Sequence, residues 1–332
     1  PRQAGAEIAR GAKAVSGRIL VLGAAGRIGR AAAEAFRDAG WSVASQVRGA
    51  SAPRAAPGTE IVEVDARDTE SLIEAAQGAD VILNALNPPY TAWPKFAMPY
   101  AEAGIAAARA SGATLMFPGN VYNFGPPIPP VLDEATPMRP HTRKGRIRLE
   151  IEQRMQDAAR NGVRVIVVRA GDFFGGAALG SWFDRVVVKE IAGATLTYPG
   201  ALDVQHEWAY VPDLASTLVQ LAAMRANLAP FESFGFPGHA VTGRELAATI
   251  SRVLGRKLRV AQMPWFMLRL LAPVVPIFRE LTELAYLWNE PHRIDGQKLA
   301  AAIGTVPRTP FETAIAAALD DLGLIGRRGR GS

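Results

Sequence analysis

The stretch RILVLGAAGRIG, residues 18–29, decides the fold. Its first five residues form an apolar run with the length of a buried strand, and a glycine-rich turn follows directly. Gly23 permits a tight bend, Gly26 lets the backbone approach a bound group, and Gly29 lets the following helix pack closely on the strand. A pyrophosphate at this turn would meet the free N–H groups and the dipole of that helix. The stretch therefore predicts a dinucleotide-binding unit, in which the other expected contacts are Ala25, Arg27 and Ile28.

Strand and helix patterns alternate from residue 18 to about residue 170. Six short, mostly apolar runs in this range have the length of strands, and segments of helical periodicity separate most of them. Strands that alternate with helices of this length indicate a parallel sheet covered on both faces. The sequence predicts an α/β fold, a Rossmann-type doubly wound parallel sheet formed by residues 18–170 with later contributions from about residues 204–228.

The pattern changes after this first region. Glycine, proline and aromatic residues become denser, and the periodic segments become less regular. Residues 171–324 are expected to form mainly a smaller C-terminal substrate-binding lobe. Residues 1–17 are interpreted as a polar leader and residues 325–332 as a basic tail.

Composition excludes several classes of site and partner. The 332 residues contain no cysteine, which excludes disulfides, zinc–thiolate sites, iron–sulfur clusters and thiol nucleophiles. No group of His, Asp and Glu has metal-ligand spacing, so we expect no metal. The net charge is +6, but the basic residues are scattered and form no stripe interleaved with aromatics, which argues for an anionic small-molecule ligand and against nucleic acid.

Hydropathy predicts no transmembrane segment. No apolar run reaches the roughly 18 residues that a spanning helix needs. Residues 263–278 come closest, but Arg269 and three prolines interrupt them. The first residues lack the apolar core of a secretory signal, so the expected location is cytoplasmic.

The end of the second predicted strand favours NADP(H) over NAD(H). A site for NAD usually places Asp or Glu there to bond the adenosine ribose, and the chain has Gln46-Val47-Arg48 instead. The Arg48 guanidinium matches a ribose 2′-phosphate, and Arg27 is a candidate for a second contact. An ordinary solvated arginine is the alternative for Arg48, and NAD(H) stays an alternative cofactor.

Two further strand ends supply candidate cofactor contacts. Asp65 ends the third strand and is placed to bond the adenine amino group, with Ala66 beside it; a helix-capping role for Asp65 is the alternative. Asn84 and Ala85 close the fourth strand, where a small residue leaves room for the cofactor ribose.

From residue 18 to residue 324 the chain resembles the extended short-chain dehydrogenase/reductases, the group that includes sugar-nucleotide epimerases and dehydratases. The resemblance rests on the glycine turn and on the segments VEVDARD, GADVILNA, VYNFG, DEATPMRP, VRAGDFFGG and HEWAYVPDLA, which occur in the family's order. It implies the Rossmann fold and a nicotinamide cofactor. It also places Gly171 where the family's chain turns over the nicotinamide end.

The chain departs from this family at the catalytic positions. The family uses a Tyr-x-x-x-Lys pair with a nearby Ser or Thr, in which a tyrosinate moves the proton and the lysine lowers its pKa. In PHTRKGRIRLEIE the spacing to Glu150 assigns Thr142 to the tyrosine position and Arg146 to the lysine position. In FPGNVYNFG, Asn120 or a neighbour stands in the serine's place. The chain is therefore interpreted as an atypical member with a degenerate catalytic pair.

Other residues are candidates for the missing proton transfer. Lys144 is a candidate acid or base if burial lowers its pKa, Tyr122 is a candidate proton donor, and Asn120 is placed to orient the substrate. The alternatives are a surface charge for Lys144 and a packing role for Tyr122. Phe173 and Phe174 are expected to form a pocket wall, and His206 is a candidate substrate contact whose alternative is an ordinary loop histidine.

Three functions fit these observations. The leading hypothesis is an NADP(H)-dependent oxidoreductase that transfers a hydride to or from a small carbonyl or hydroxyl substrate. The second is a sugar-nucleotide epimerase or dehydratase. The third is a non-catalytic NADP(H)-binding sensor or structural module, in which residues 263–288 dock a partner or a membrane surface. Helices on the flank of the sheet are also consistent with a homodimer.

Overall fold

The structure is a computed structural model, and it describes residues 16–325. Most of the expected leader and nearly all of the expected tail lie outside these residues. The strands are β1 (Arg18–Leu22), β2 (Ser42–Val47), β3 (Glu60–Glu63), β4 (Val81–Asn84), β5 (Thr114–Asn120), β6 (Val131–Leu132), β7 (Val165–Ala170), β8 (Asp172–Phe174), β9 (Thr195–Tyr198), β10 (Gln205–Tyr210), β11 (Phe231–Gly235), β12 (His239–Thr242), β13 (Arg259–Gln262) and β14 (Arg293–Ile294). The α-helices are α1 (Arg27–Asp38), α2 (Thr69–Ala75), α3 (Trp93–Ser111), α4 (Arg143–Arg160), α5 (Val211–Met224), α6 (Gly243–Leu254), α7 (Trp265–Leu271), α8 (Pro276–Thr282), α9 (Gln297–Ile303) and α10 (Phe311–Asp321).

Seven strands form the central sheet, in the order β11-β7-β5-β4-β1-β2-β3. Every neighbouring pair in it is parallel. The strand order reverses beside β1, and in sheets of this kind ligands bind outside the carboxyl ends of the strands at that reversal. The predicted doubly wound Rossmann sheet is confirmed, and β11 extends it beyond the range expected from the sequence.

Alternation along the strands produces a hydrophobic layer on each face of the sheet. In β1, Leu20 and Leu22 pack into one layer, while Ile19 and Val21 pack into the other. The first layer is covered by α2, α3 and α4, and the second by α1 and α5. Each of these strand residues is fully buried. The sheet is therefore closely packed on both faces, and the carboxyl ends of its strands hold the residues that follow them in fixed positions.

Three small sheets lie outside the central sheet: β12-β10-β8, β13-β9 and β14-β6. Glu207 in β10 joins two of them, since its buried carboxylate accepts hydrogen bonds from the backbone N–H groups of Gly238 at 2.6 Å and Ile294 at 3.1 Å. Burial raises the pKa of Glu207 to about 7. Among the described residues, no helix has the length and apolar character required to cross a membrane.

Candidate active site

The glycine turn has the backbone that an anion site requires. Gly23 adopts a φ of +75°, and a Cβ on Gly29 would lie 2.3 Å from the Gly23 carbonyl oxygen. Helix α1 begins after Gly26 with no side-chain cap and no acidic residue in its first turn. Its first N–H groups are therefore available to a negatively charged group.

Gln46 holds this turn in place, a role that the sequence did not reveal. Its side chain is 1% exposed, its Oε1 accepts a hydrogen bond from the Gly23 N–H at 2.9 Å, and its Nε2 donates to the Val64 carbonyl. The amide thus ties the glycine turn to the end of β3. The available signal was a polar residue inside an otherwise buried strand.

The adenosine end of the expected site lies at the ends of β2 and β3. Arg48 is exposed and makes no side-chain hydrogen bond or ion pair with another residue of the described range. The side-chain and backbone hydrogen bonds of Arg67 lower the pKa of Asp65 to about 2, so the Asp65 carboxylate is engaged by its neighbour. Ala66 beside it is buried. Glu63, which the sequence analysis did not single out, places its carboxylate 3.3 Å from the position of a Cβ on Gly49.

Arg27 does not lie where the sequence analysis expected it. Its guanidinium forms an ion pair with Asp184 and donates to the carbonyls of Gly175 and Gly176. These contacts direct the side chain across the turn into the loop after β8. We therefore revise the interpretation of Arg27 as a second 2′-phosphate contact, because its charge is already compensated inside the protein.

Asn84 and Ala85, at the end of β4, lie next to the glycine turn. The Asn84 amide donates to the Tyr100 carbonyl at 2.9 Å and accepts from the Leu86 N–H at 3.3 Å. It anchors the end of β4 to α3 and is not free to bond a ribose. The Ala85 carbonyl oxygen lies 3.0 Å from the position of a Cβ on Gly23, so backbone from both strands is close here.

Helix α4 corrects the assignment of the catalytic pair. The Thr142 side chain accepts a hydrogen bond from the Gly145 N–H at 3.0 Å and caps the helix, which gives it a structural role. Arg146 is exposed and donates to the His141 carbonyl. The two residues with four-residue spacing on the inward face are Lys144 and Arg148.

Lys144 is neither a surface charge nor a solitary lysine. It is fully buried, and its ammonium lies between the carboxylates of Glu280 and Glu283, the second at 2.7 Å. It also lies 5.2 Å from the centroid of the Tyr90 ring. Both carboxylates hold the Lys144 ammonium in place, so the interpretation of Lys144 as an acid or base that acts alone is revised.

Arg148, like Tyr90 and Asp172, is a residue of the candidate site that the sequence analysis did not name. Its guanidinium lies 4.7 Å from the Trp93 ring centroid and 5.1 Å from that of Phe117. Its buried Nε has no hydrogen-bond partner among the described residues. Arg148 also lines a cavity of about 10 Å³ with Asn84, room for about one water molecule. The signal available in the sequence was its spacing of four residues from Lys144.

Two tyrosine hydroxyls meet at the carboxyl edge of the sheet. Tyr90 follows β4 and Tyr122 follows β5, and their hydroxyl oxygens lie 2.7 Å apart. Asn120 accepts a hydrogen bond from the Tyr122 N–H at 3.0 Å and so fixes the short turn that carries it. Burial raises the pKa of Tyr90 to about 12. Burial and the neighbouring Tyr90 and Asp172 raise the pKa of Tyr122 well above its usual value, against the opposing charge of Arg148.

Asp172 adds a carboxylate beside the tyrosines, from the strand that follows β7. Its oxygen lies 2.8 Å from Nε2 of His206, whose Nδ1 faces the Leu287 carbonyl at 3.3 Å. The His206 ring stacks on Trp288 with centroids 4.1 Å apart and is 1% exposed. His206 therefore holds Asp172 in position, and the interpretation of His206 as a substrate contact is revised.

Phe173 and Phe174, which were expected to form a pocket wall after β7, pack into two different hydrophobic layers. Phe174 is 1% exposed and packs on Phe183 and Tyr210, so it belongs to the core. Phe173 packs toward the layer of α1 and α5, away from the tyrosines. At Gly171 a Cβ would lie 2.2 Å from the Glu207 carbonyl oxygen, so a close backbone approach requires this glycine.

The site thus consists of five residues at the carboxyl ends of β4, β5 and β7 and on the inward face of α4. We call it the tyrosine cluster; its members are Tyr90, Tyr122, Lys144, Arg148 and Asp172. It lies at the edge of the sheet where Rossmann-type proteins bind their ligands.

Comparison with known structures supports the fold. A putative epimerase from Burkholderia cenocepacia J2315 has a TM-score of 0.70 and 20% identity, with 91% of this chain and 97% of that chain covered. MoeE5 in complex with UDP-glucose and NAD has a TM-score of 0.74 and 17% identity, covering 92% and 99%. The UDP-Glc/GlcNAc 4-epimerase from Campylobacter jejuni has a TM-score of 0.70 and 16% identity, covering 92% and 98%.

Sequence comparison adds a relative and a family. A 3-diazoavenalumate denitrifying reductase from a Streptomyces species is 34% identical over 134 residues, a match that covers 36% of this chain and spans only 43% of that protein. The model of the "NAD dependent epimerase/dehydratase family" matches residues 19–234, from the first strand to the last strand of the central sheet. With its glycine turn and its seven-stranded Rossmann sheet, the chain belongs to the NAD-dependent epimerase/dehydratase family.

Proposed function

We propose that the protein is an NADP(H)-dependent oxidoreductase that reduces a carbonyl group of a small, moderately apolar substrate to a hydroxyl group. The observation that carries the proposal is the contact between the hydroxyls of Tyr90 and Tyr122, whose oxygens lie 2.7 Å apart at the carboxyl edge of the sheet. Reduction of a carbonyl requires a proton donor at its oxygen, and a phenol with a raised pKa is an acid that stays protonated near neutral pH.

The glycine turn and the ends of the strands fit a dinucleotide. The uncapped N–H groups of α1 would hold the pyrophosphate, and Arg48 would bind the 2′-phosphate. Arg148, with its unpartnered buried Nε, is the cation suited to a ribose hydroxyl at the nicotinamide end. When bound, NADPH supplies the hydride that the reaction transfers from its C4 to the carbonyl carbon.

Tyr122 carries out the proton step in this proposal. It donates its proton to the oxygen of the carbonyl as the C–H bond forms, and the hydrogen bond from Tyr90 stabilises the phenolate that remains until solvent returns a proton. Arg148 acts on Tyr122 as a nearby positive charge and favours that phenolate. The reverse step would start from the Tyr122 phenolate, and the raised pKa of Tyr122 leaves little phenolate near neutral pH, so the cluster is less suited to that direction.

An apolar substrate is supported by the lobe beside the cluster. Trp182 packs against Trp288 with centroids 5.2 Å apart and against Trp265 at 6.3 Å. Tyr198 packs edge-on to Trp288 at 5.8 Å. Trp182, Trp288 and Tyr198 are buried, and the aromatic character of this neighbourhood favours flat, weakly polar compounds.

The test is cofactor binding followed by turnover. Purified protein is titrated with NADPH and NADH by fluorescence, and NADPH oxidation is then followed with aromatic and aliphatic aldehydes, ketones and quinones. We expect tighter binding of NADPH and turnover of at least one carbonyl class. Binding without oxidation in any assay would instead support the alternative of a non-catalytic sensor.

A sugar-nucleotide epimerase or dehydratase is the second candidate, favoured by the family to which the chain belongs. Such an enzyme must first oxidise its substrate and therefore needs an efficient base. Incubation with UDP- and dTDP-sugars distinguishes the two functions, because epimerisation converts the sugar without net consumption of the cofactor.

A further inference from the structure

Exposed large hydrophobic side chains are concentrated in one short segment. The described residues include nine of them, and six lie between residues 266 and 277. These six are Phe266, Met267, Leu270, Leu271, Val274 and Ile277. The other three, Ile61, Val131 and Leu179, are widely separated in the chain. We call α7, α8 and the turn between them, residues 265–282, the apolar hairpin. A contiguous exposed patch of this kind marks an interaction surface.

The outer face of the apolar hairpin carries positive charge and no free carboxylate. Residues 263–279 include two charged residues, Arg269 and Arg279, and no Asp or Glu. Arg279 is 64% exposed, at 3.7 Å from the carboxylate of the buried Glu280. Glu280 and Glu283 are turned inward onto Lys144. The face directed to solvent is therefore apolar and cationic.

The inner face of the hairpin fixes it to the rest of the protein. Leu268 is buried, and the indole N–H of Trp265 donates to the Pro199 carbonyl. Lys144 and Arg143 bond the carboxylate of Glu280 at the other end of the hairpin. The backbone of the hairpin is thus fixed while its outer apolar side chains stay exposed. A fixed backbone lowers the conformational entropy that is lost when these side chains bind a partner.

We propose that the outer face of the apolar hairpin docks on an anionic lipid surface. Aromatic and aliphatic side chains enter the boundary between headgroups and acyl chains, while arginines bind the phosphates and acidic headgroups. The contact is peripheral, as the short helices α7 and α8 require. The proposal does not depend on the proposed reductase activity, since it rests only on this surface.

Charge argues against two other occupants. A second copy bound by two-fold symmetry would place Arg269 and Arg279 against the same cationic face, with no exposed carboxylate in residues 263–279 to compensate them. Residues 326–332, the C-terminal segment, are the other candidate. They carry three arginines and no large apolar side chain, so they match neither the positive charge nor the apolar character of the face.

The first experiment measures flotation with lipid vesicles. We expect the full chain to float with phosphatidylcholine vesicles that contain about 30% phosphatidylglycerol, and to bind pure phosphatidylcholine at least about tenfold more weakly. Leu270→Glu should reduce the partition coefficient on anionic vesicles by about tenfold or more, because it places a charge in the apolar face. Leu179→Glu is the matched control, since Leu179 is 70% exposed and Leu270 67%, and it should change binding by less than about twofold.

The second experiment tests the charge. Arg269→Glu should weaken binding to anionic vesicles several-fold, whereas Arg154→Glu, on the exposed face of α4, should not. Wild-type binding that is equal on neutral and anionic vesicles, or that survives Leu270→Glu, overturns the proposal. The proposal is also overturned if light scattering shows a dimer that Leu270→Glu dissociates, because a second copy would then cover the face. It is likewise overturned if vesicle binding appears only after deletion of residues 1–15, because that segment would then cover the face.

Discussion

The hydroxyl oxygens of Tyr90 and Tyr122 lie 2.7 Å apart, although the two residues belong to turns that follow different strands. Because β4 and β5 are neighbours in a parallel sheet, their carboxyl ends bring the two turns together. Burial raises the pKa of both phenols, so the pair is protonated near neutral pH. In the proposed reaction, this protonated pair takes the part of the proton donor.

Replacement of Tyr122 by Phe tests this proton donor. The variant keeps the ring and its packing on Trp93 but removes the acid, so we expect carbonyl reduction to fall by about a hundredfold or more. The affinity for NADPH, measured by fluorescence, should be nearly unchanged. The decrease should appear in kcat, because the missing proton acts at the chemical step.

Tyr100→Phe is the matched control for that variant. Tyr100 lies on α3, partly buried, and its ring stacks on Phe96 at 5.9 Å. Its loss should leave kcat within about twofold of the wild type. Equal losses in the two variants would point to a general effect on the fold and remove the support for Tyr122 as the donor.

The fold was largely predictable because its signals are local. The glycine turn after an apolar strand, and the alternation of strands with helices, specify a Rossmann sheet without reference to distant residues. The seventh strand, β11, was missed because its residues, FESFG, contain glycine, serine and glutamate in a strand at the edge of the sheet. Its place is set by pairing with β7, which is a long-range property.

The inward face of α4 lies two residues away from the positions that the sequence analysis selected. Counting from Glu150 selected Thr142 and Arg146, whereas the packing of α4 on the sheet turns Lys144 and Arg148 inward. Ile151 and Met155 are buried and lie on the same side of α4 as Lys144 and Arg148. Their apolar side chains were the signal in the sequence that identifies the inward face of the helix. The partners of Lys144 lie more than 130 residues away, and no local pattern identifies them.

Cofactor preference is tested at the ends of β2 and β3. Arg48→Ala should weaken NADPH binding about tenfold to a hundredfold and leave NADH binding nearly unchanged, because only NADPH carries the 2′-phosphate. Glu63→Gln should act in the opposite direction, since it removes a carboxylate beside Gly49 that repels that phosphate. Unchanged NADPH binding in Arg48→Ala would contradict the proposed cofactor preference.

The stability of the protein should fall in mild acid through two buried histidines. Burial lowers the pKa of His292 to about 3 and that of His239 to about 4, so both stay neutral in the folded state where the unfolded chain binds protons. The stabilisation is present above the usual histidine pKa and is lost as the pH falls toward these values. For His292 we expect a loss of about 2 kcal/mol between roughly pH 6.5 and 4.5, measured by urea unfolding.

His292→Gln isolates that contribution. The variant removes the titrating ring, so its free energy of unfolding should vary less with pH over the same interval. The exposed His141 provides the control, since His141→Gln should leave the slope as it is in the wild type. An unchanged slope in His292→Gln would assign the acid sensitivity to other groups.

The contact of Lys144 with Glu280 and Glu283 joins α4 to the apolar hairpin, and its removal should be costly. Lys144→Met leaves two carboxylates, one of them buried, without their common cation, so we expect a loss of about 3 kcal/mol in the free energy of unfolding. Lys257→Met, at an exposed lysine, should cost less than about 0.5 kcal/mol.

Burial raises the pKa of Glu280, but the bonds from Lys144 and Arg143 outweigh it and lower the pKa below its usual value. The contribution of the pair is therefore present above the usual glutamate pKa and is lost as the pH falls, so the difference between Lys144→Met and the wild type should shrink in acid. A difference that is small at neutral pH, or that grows in acid, would show that Lys144 does not hold the hairpin to α4.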